Sequence, residues 1–335
     1  MELVVEASAP SRIDLAGGTL DLWPLHVLHP GSVTVNLAID RFARCRVAPG
    51  EGGFRVFAKD HCSDAHSGTA EELLAAPETA LVGSLILALQ VSEPLNIEID
   101  SEVPFGSGLG GSSALLIALM GALERFSPRG LTGADRVDFV RDVETRILRK
   151  PAGVQDYFPP LAGGLHRIVF EPGRTRAART EVDPDVWERH LTLFDTGASH
   201  SSGMNNWEIF RARLEGDASV AERLEAVREA AVRMAAAAAA MDFQAMGRAL
   251  GEEWDARREL APVVSTPVIE RAVAAARAAG SWGGKACGAG GGGCVVFLSP
   301  SDRTASVRKA LAGLGAGSLL PVRAVNRGLE VSQAN

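Results

Sequence analysis

Pro104-Phe105-Gly106-Ser107-Gly108-Leu109-Gly110-Gly111-Ser112-Ser113-Ala114 is the stretch on which the reading of this chain turns. Ahead of it, Leu95-Asn96-Ile97-Glu98-Ile99 alternates apolar and polar residues, the pattern of a half-buried strand. Behind it, Ala114 to Leu123 carries no polar side chain and is expected to form a buried helix. The order is strand, glycine-rich loop, helix. Four glycines in six residues let a backbone turn tightly and bring its N–H groups close to a ligand. The first helical turn adds unpaired N–H groups and the positive end of the dipole, which favour an anion. Ser112 and Ser113 add hydroxyls that can reach a phosphate or a Mg²⁺ ion. The stretch is therefore expected to bind phosphate.

Two better-known phosphate loops fit less well. Gly106, Gly108 and Gly111 satisfy the dinucleotide pattern G-x-G-x-x-G, but they lie a third of the way along the chain rather than after a first strand. A G-x-x-x-x-G-K-[ST] loop needs a lysine, and none follows these glycines.

Composition narrows the classes. A chain of 335 residues can bury a large core and is expected to divide into two domains, 1–170 and 171–335, where the composition shifts toward Ala/Arg-rich helices. Hydrophobic residues make up 46% and charged residues 22%, as in ordinary globular proteins. A formal net charge of −7 with no basic run speaks against nucleic acid as the main partner. Met1 to Ala7 lacks the basic start of a signal peptide, and the apolar runs Leu81–Leu89 and Ala230–Ala240 are too short to span a bilayer. Cys45, Cys62, Cys287 and Cys294 show neither zinc-site nor disulfide-framework spacing. The expectation is a cytoplasmic protein that uses no membrane.

Strands are expected at Leu3–Ala7, from Arg12, at Val33–Ile39, at Leu165–Phe170, at Leu191–Phe194, at Cys294–Leu298 and at Leu320–Val325, with a hairpin of Arg44–Val47 and Phe54–Phe57 around Gly50–Gly53. Asp60–Gly68, with His61, Cys62, Asp64 and His66, reads as a polar loop whose spacing fits no common metal site. Glu171–Asp185 reads as a charged loop. Helices are expected at Thr69–Leu74, Thr79–Gln90, from Thr132, and at Ala218–Ala240, Asp242–Leu250, Thr266–Ala279 and Arg303–Leu311.

The pattern P-x-x-x-G-L-G-x-S-S-A resembles the second motif of the GHMP kinases, the superfamily of galactokinase, homoserine kinase, mevalonate kinase and phosphomevalonate kinase. Counterparts of two further family motifs flank it in order: Ala9-Pro10-Ser11-Arg12-Ile13-Asp14-Leu15-Ala16-Gly17-Gly18-Thr19-Leu20-Asp21, and Lys285-Ala286-Cys287-Gly288-Ala289-Gly290-Gly291-Gly292-Gly293-Cys294-Val295-Val296-Phe297. The resemblance covers almost the whole chain. It implies an α/β (α+β) fold: an N-terminal domain like the second domain of ribosomal protein S5, then a ferredoxin-like C-terminal domain, with the active site in the cleft between them.

The resemblance also implies roles. Pro104, Gly106, Ser107, Gly108, Leu109, Gly110, Gly111, Ser112 and Ser113 would hold ATP, and Ser113 with Glu144 would ligate Mg²⁺. Gly153-Val154-Gln155-Asp156 is similar to the G-K-Q-D-Q of the bacterial heptose kinase and fucokinase branch, making Asp156 the carboxylate that accepts the acceptor's proton. Arg12 would stabilise charge developing beside it. Gly18, Thr19 and Asp21, with Gly290 and Gly291, would bind substrate, and a carboxylate at 21 suits a polyol. The partner is then a sugar or sugar phosphate; a homodimer is left open. Val154 replaces a lysine of that branch, and Thr196-Gly197-Ala198-Ser199-His200 ends in histidine where the branch often has arginine. Both changes remove positive charge and favour an unphosphorylated sugar. The competing readings are a diphosphomevalonate decarboxylase or mevalonate kinase-like enzyme, a non-catalytic ligand sensor of the same fold, and a Rossmann oxidoreductase.

Overall fold

The computed structural model of the chain describes residues 3–60, 62–104, 106–133, 135–198 and 202–334; His61, Phe105, Ser199 and His200, named above, lie outside the described residues. Among the described residues the chain runs β1 (Val4–Ala16), α1 (Leu25–Leu28), β2 (Val33–Pro49), β3 (Phe54–Ala58), β4 (Ser63–Ser67), α2 (Ala70–Leu73), α3 (Ala80–Leu89), β5 (Leu95–Ser101) and α4 (Gly111–Leu123). Then come α5 (Asp135–Leu148), α6 (Phe158–Ala162), β6 (Leu165–Glu171), β7 (Arg174–Thr180), α7 (Pro184–His190), β8 (Leu191–Asp195) and α8 (Ser202–Leu214). The chain closes with α9 (Ala218–Ala239), α10 (Phe243–Arg257), α11 (Pro267–Ala278), β9 (Gly283–Ala286), β10 (Cys294–Leu298), α12 (Thr304–Ala312), β11 (Ser318–Leu319) and β12 (Glu330–Ala334).

Two sheets result. In the first, the path is β12-β1-β2-β5-β3-β4, and β2 also pairs with β6, which pairs with β7. The second has the order β11-β8-β10-β9. The long strand β2 makes the branching feasible: Val33–Leu37 pairs with β6, Ala43–Pro49 pairs with β5, and β1 runs antiparallel along its other edge. β7 and β12 thus join the first sheet although they follow residue 170.

Several elements differ from expectation, each for a packing reason. Leu3–Ala7 and Arg12–Leu15 form one strand, because a register shift between Pro10 and Ser11 absorbs the proline without ending the ladder. The expected hairpin does not form. β5, which buries Leu95, Ile97 and Ile99, slots between β2 and β3 and pairs parallel with β3, while Gly50 N–H donates to Pro94 O and Leu95 N–H to Gly53 O. Ser63–Ser67 and Arg174–Thr180, read as loops, are edge strands whose polar side chains face solvent on a partly open sheet. Leu320–Val325 touches the first sheet through a single bridge, Ile39 to Ala324, rather than forming a strand.

The apolar helix α4 lies where its sequence requires. A helix hydrophobic on all sides must be covered on all sides, and Leu116, Ile117, Leu119, Met120 and Leu123 are buried with α3, α5 and the first sheet in one core. A second core joins β1 and β2 to α9, α10, β8 and β10, and a third lies under α11 and α12. The sheet that carries Arg12 is therefore packed on both faces.

The return strand β12 closes over α4 at Gly121, where an added Cβ would lie 2.9 Å from the Leu329 side chain and 3.0 Å from that of Val331. Gly121→Val should wedge β12 off β1 and destabilise the protein by about 1–3 kcal/mol, as overpacking does. Hydrogen exchange should then quicken at Val331 and Gln333 while α4 stays protected; unchanged exchange at β12 would show that the neighbours repack.

Candidate functional site

Arg12 sits mid-β1, buried at 3% exposure, and it ties the glycine loop to the Asp156 turn. Its Nε donates to Asp156 Oδ1 at 2.8 Å and its Nη2 to Asp156 Oδ2 at 2.7 Å, a bidentate pair. Its Nη1 donates to Gly108 O at 2.5 Å, and its backbone N–H donates to Leu109 O at 3.0 Å. Burial alone would lower the guanidinium's pKa, but Asp156 and then Asp14 raise it above the ordinary value.

The loop's carbonyls are thus turned inward. Ser107 O accepts from Cys294 N–H at 2.8 Å, and Gly108 and Leu109 accept from Arg12. A loop whose carbonyls face the protein is free to aim amides at an anion, the arrangement an N-terminal phosphate site needs. Gly106, Gly108 and Gly110 adopt φ of 70°, 75° and 72°, and a Cβ at Gly108 would lie 2.3 Å from Cys287 O. The second and third motifs therefore touch backbone to backbone. At the start of α4, Ser112 is exposed and Ser113 buried.

Glu144, on the inner face of α5, accepts a hydrogen bond from Tyr157 Oη, and the Ser112 hydroxyl at the start of α4 favours its charged form. Burial, then the charge of Asp156, pushes its carboxyl up to about 7. Tyr157 is fully buried, and burial with Glu144 pushes its phenol well above the usual range. The donor set suits a hard cation: a carboxylate that burial and a like charge destabilise, with serine hydroxyls at the start of α4 near it. A cation there would offset both.

Asp21 follows the Gly17-Gly18-Thr19 turn and is 6% exposed. Its Oδ2 accepts from Gln155 N–H at 3.1 Å, and Gln155 Oε1 accepts from Asn36 Nδ2 at 3.2 Å. A Cβ at 153 would lie 1.9 Å from Asp21 Oδ2, so only glycine fits before Val154. Burial, then Asp156, pushes the Asp21 carboxyl up to about 7. Val154 is buried in the first core, so this position presents no side chain to a ligand. Gly290 and Gly291 pack on the turn before α11, where Gly291 N–H donates to Val264 O at 2.7 Å. Asp64, in the segment weighed as a metal loop, is held by Arg55 at 2.7 and 3.0 Å.

A family is now identifiable. Residues 79–164 match the GHMP kinases N terminal domain and residues 234–316 the GHMP kinases C terminal region. The chain belongs to the GHMP kinase family. It is accordingly a phosphotransferase, with the mixed α/β fold of that family. A D-glycero-alpha-D-manno-heptose 7-phosphate kinase of Campylobacter jejuni is 25% identical over 92% of this chain and 93% of its own length. A galactokinase of Mycobacterium tuberculosis is 27% identical over 63% of this chain and 66% of its own. The crystal structure of a D-glycero-D-manno-heptose 1-phosphate kinase from Bacteroides thetaiotaomicron superposes with a TM-score of 0.75 over 99% of both chains at 20% identity.

Sequence motifs miss five participants. Tyr157 carries no motif signal. Glu253 and Arg257 lie in a charged run that looks solvated, yet Met246, Leu250, Glu253 and Arg257 share one helical face, and that face is buried. Asp14 and Lys285 stand inside motifs without an assigned role; they pair with each other at 3.0 Å, both at 0% exposure. Among the described residues no helix is long and apolar enough to cross a membrane.

The raised Asp21 carboxyl has a sign that can be tested. An acid whose pKa rises from 3.8 to about 7 on folding contributes stability that is full below the unfolded value and lost as pH rises through 7. Asp21→Asn keeps an oxygen for the Gln155 N–H. It should melt at or above the wild-type temperature at pH 8, the advantage vanishing or reversing by pH 4. A melting temperature that drops at pH 8 would mean that the ionised carboxylate stabilises the turn.

Proposed function

We propose that this kinase transfers the γ-phosphoryl group of ATP to a hydroxyl of a sugar or sugar phosphate of the hexose or heptose type. The observation that carries the reading is the bidentate Arg12–Asp156 pair, set against the start of α4 and beside the buried carboxylate of Asp21. A phosphoryl acceptor needs its oxygen aimed, its proton received and the donor's charge neutralised; each task has a group here. The sugar names of the relatives support the acceptor class.

Asp21 accepts hydrogen bonds from acceptor hydroxyls and so orients the sugar. Asp156 receives the proton of the reacting hydroxyl. Arg12 holds Asp156 in place through two parallel bonds and stabilises negative charge on the acceptor oxygen. The amides of residues 108–113 cradle the donor phosphates. Glu144, with the serine hydroxyls at 112 and 113, would hold Mg²⁺, which supplies charge neutralisation on the phosphates when bound.

Arg12, Arg257 and Lys285, the cations around this turn, are each engaged with a carboxylate. That leaves none of the three for a substrate phosphate and supports the unphosphorylated sugar as the better acceptor.

Three measurements test the reading. ADP release with a panel of D-galactose, other hexoses, free heptoses and their phosphates should identify a sugar acceptor with kcat/KM higher than that of its phosphate ester; turnover of mevalonate alone would reassign the enzyme. Asp156→Asn should keep ATP affinity and lower kcat by about 10²–10⁴, and a wild-type rate would remove it from proton transfer. The double variant Ser113→Ala, Glu144→Ala should need much more Mg²⁺ for half-maximal rate; an unmoved titration would place the ion elsewhere.

A further inference from the structure

The turn that presents Asp21 is held in a conformation its sequence disfavours. Thr19 has φ of +74°. The left-handed region is uncommon for any residue with a side chain, and for a β-branched one it is a true outlier. Such a residue persists only where its surroundings over-determine it.

The surroundings come from α10. Arg257 Nη1 donates to Thr19 Oγ1 at 3.1 Å and its Nη2 donates to Gly18 O at 2.7 Å. Thr19 Oγ1 in turn donates to Asn206 Oδ1 on α8 at 2.9 Å. Arg257 is 1% exposed and is fixed by Glu253 Oε1, which it meets through Nε at 2.9 Å and Nη2 at 2.7 Å. The same oxygen accepts from Lys285 Nζ at 3.1 Å and from Gly17 N–H at 3.4 Å, and Lys285 Nζ also donates to Asp14 Oδ2 at 3.0 Å. One buried arginine therefore grips two consecutive residues of the turn, from an element that carries none of the three motifs. Two residues further on stands Asp21, seated on Gln155 N–H.

We propose that Arg257 is a positioning residue for the acceptor: it clamps Gly18 and Thr19 in their strained geometry and so keeps the Asp21 carboxylate aimed at the sugar. The acceptor part of this inference rests on the role proposed above for Asp21; the clamp itself does not. Freed from Arg257, Thr19 relaxes toward negative φ, and a rotation two residues upstream swings Asp21 away from Gln155. The nucleotide side is spared, because Arg12 and the glycine loop are held by other bonds. The consequence is a split: acceptor KM changes and ATP KM does not.

Arg257→Lys is the informative variant, since it keeps a cation for Glu253 but cannot span Gly18 O and Thr19 Oγ1 together. Exchange of the Gln155 amide, which needs no known acceptor, should quicken at least about tenfold while amides of α4 hold their wild-type rates. With the best acceptor of the hexose and heptose panel, acceptor KM should rise about tenfold or more at nearly constant kcat and ATP KM. Thr19→Val removes the hydroxyl and keeps the Arg257–Glu253 pair. It should produce the same exchange change, and adding Arg257→Lys to it should add little, because residues acting through one contact are not additive.

Unchanged Gln155 exchange in folded Arg257→Lys overturns the clamp, as does full additivity with Thr19→Val. Equal losses in acceptor KM, ATP KM and kcat also overturn it, since they describe a merely structural residue. If Arg257→Lys does not fold, Thr19→Val with unchanged Gln155 exchange overturns it alone, and quickened exchange there supports it. Asp21→Ala separates the two readings. If it leaves acceptor KM unmoved, the acceptor role of Asp21 fails, whereas an effect of Asp21→Ala without one of Arg257→Lys removes only the clamp.

Discussion

Arg12 bonds to the glycine loop twice, once through its backbone N–H and once through its guanidinium, and spends the rest of that guanidinium on Asp156. A guanidinium is planar and presents its donors in a fixed fork, so each bond it makes constrains the others. The distance between the start of α4, where phosphate is expected, and Asp156, the proposed acceptor of the substrate's proton, is thereby set by one rigid side chain. Lysine would supply the charge without the fork. The position is also why β1 must be covered on both faces: exposed to water, the pair would be screened and worth little.

A second set of charges lies deeper. Asp14, Glu253, Arg257 and Lys285 are each at most 1% exposed, two acids against two bases joined across β1, α10 and β9. Taking such groups out of water costs much of what their pairing returns, so the cluster is a weak argument for stability. Its geometry is a stronger one. An apolar contact between β1 and α10 could slide, whereas Lys285 reaching Asp14 and Glu253 at 3.0 and 3.1 Å fixes the register between the first motif and the third.

How much of this was legible in the sequence depends on what kind of signal each part left. α4 and α9 announced themselves because a long apolar run or a periodic one admits few alternatives. The strand, glycine loop and helix order was readable because clustered glycines between an alternating run and an apolar run mark a tight turn, and Gly106, Gly108 and Gly110 do adopt positive φ. Strand neighbours were not: whether Phe54–Phe57 pairs with β2 or with β5 depends on which strand buries more, and that is a property of the assembled sheet. Edge strands β4 and β7 looked like loops because no residue of either is fully buried, so neither carries an apolar alternation. Within the site, Arg12, Asp21, Glu144 and Asp156 were singled out by motif and resemblance, whereas Glu253 and Arg257 hid in a charged run. The missed cue was geometric: charges spaced i,i+4 on the apolar face of a helix are buried, and buried charges must have partners.

The site is crowded with like charge. Asp21 and Glu144 are both pushed up to about 7 by burial first and by Asp156 second. A fold selected for stability alone would not gather three carboxylates around one arginine. Burial and like charge at both positions favour a neighbour that donates a hydrogen bond or carries positive charge, and the neighbour differs by position. Beside Asp21 it would be the hydroxyls of the proposed acceptor, since hydrogen-bond donors favour the ionised carboxylate. Beside Glu144 it would be the proposed Mg²⁺. In the function proposed above, a sugar hydroxyl at Asp21 and a divalent ion at Glu144 would each relieve part of the like-charge crowding around Asp156.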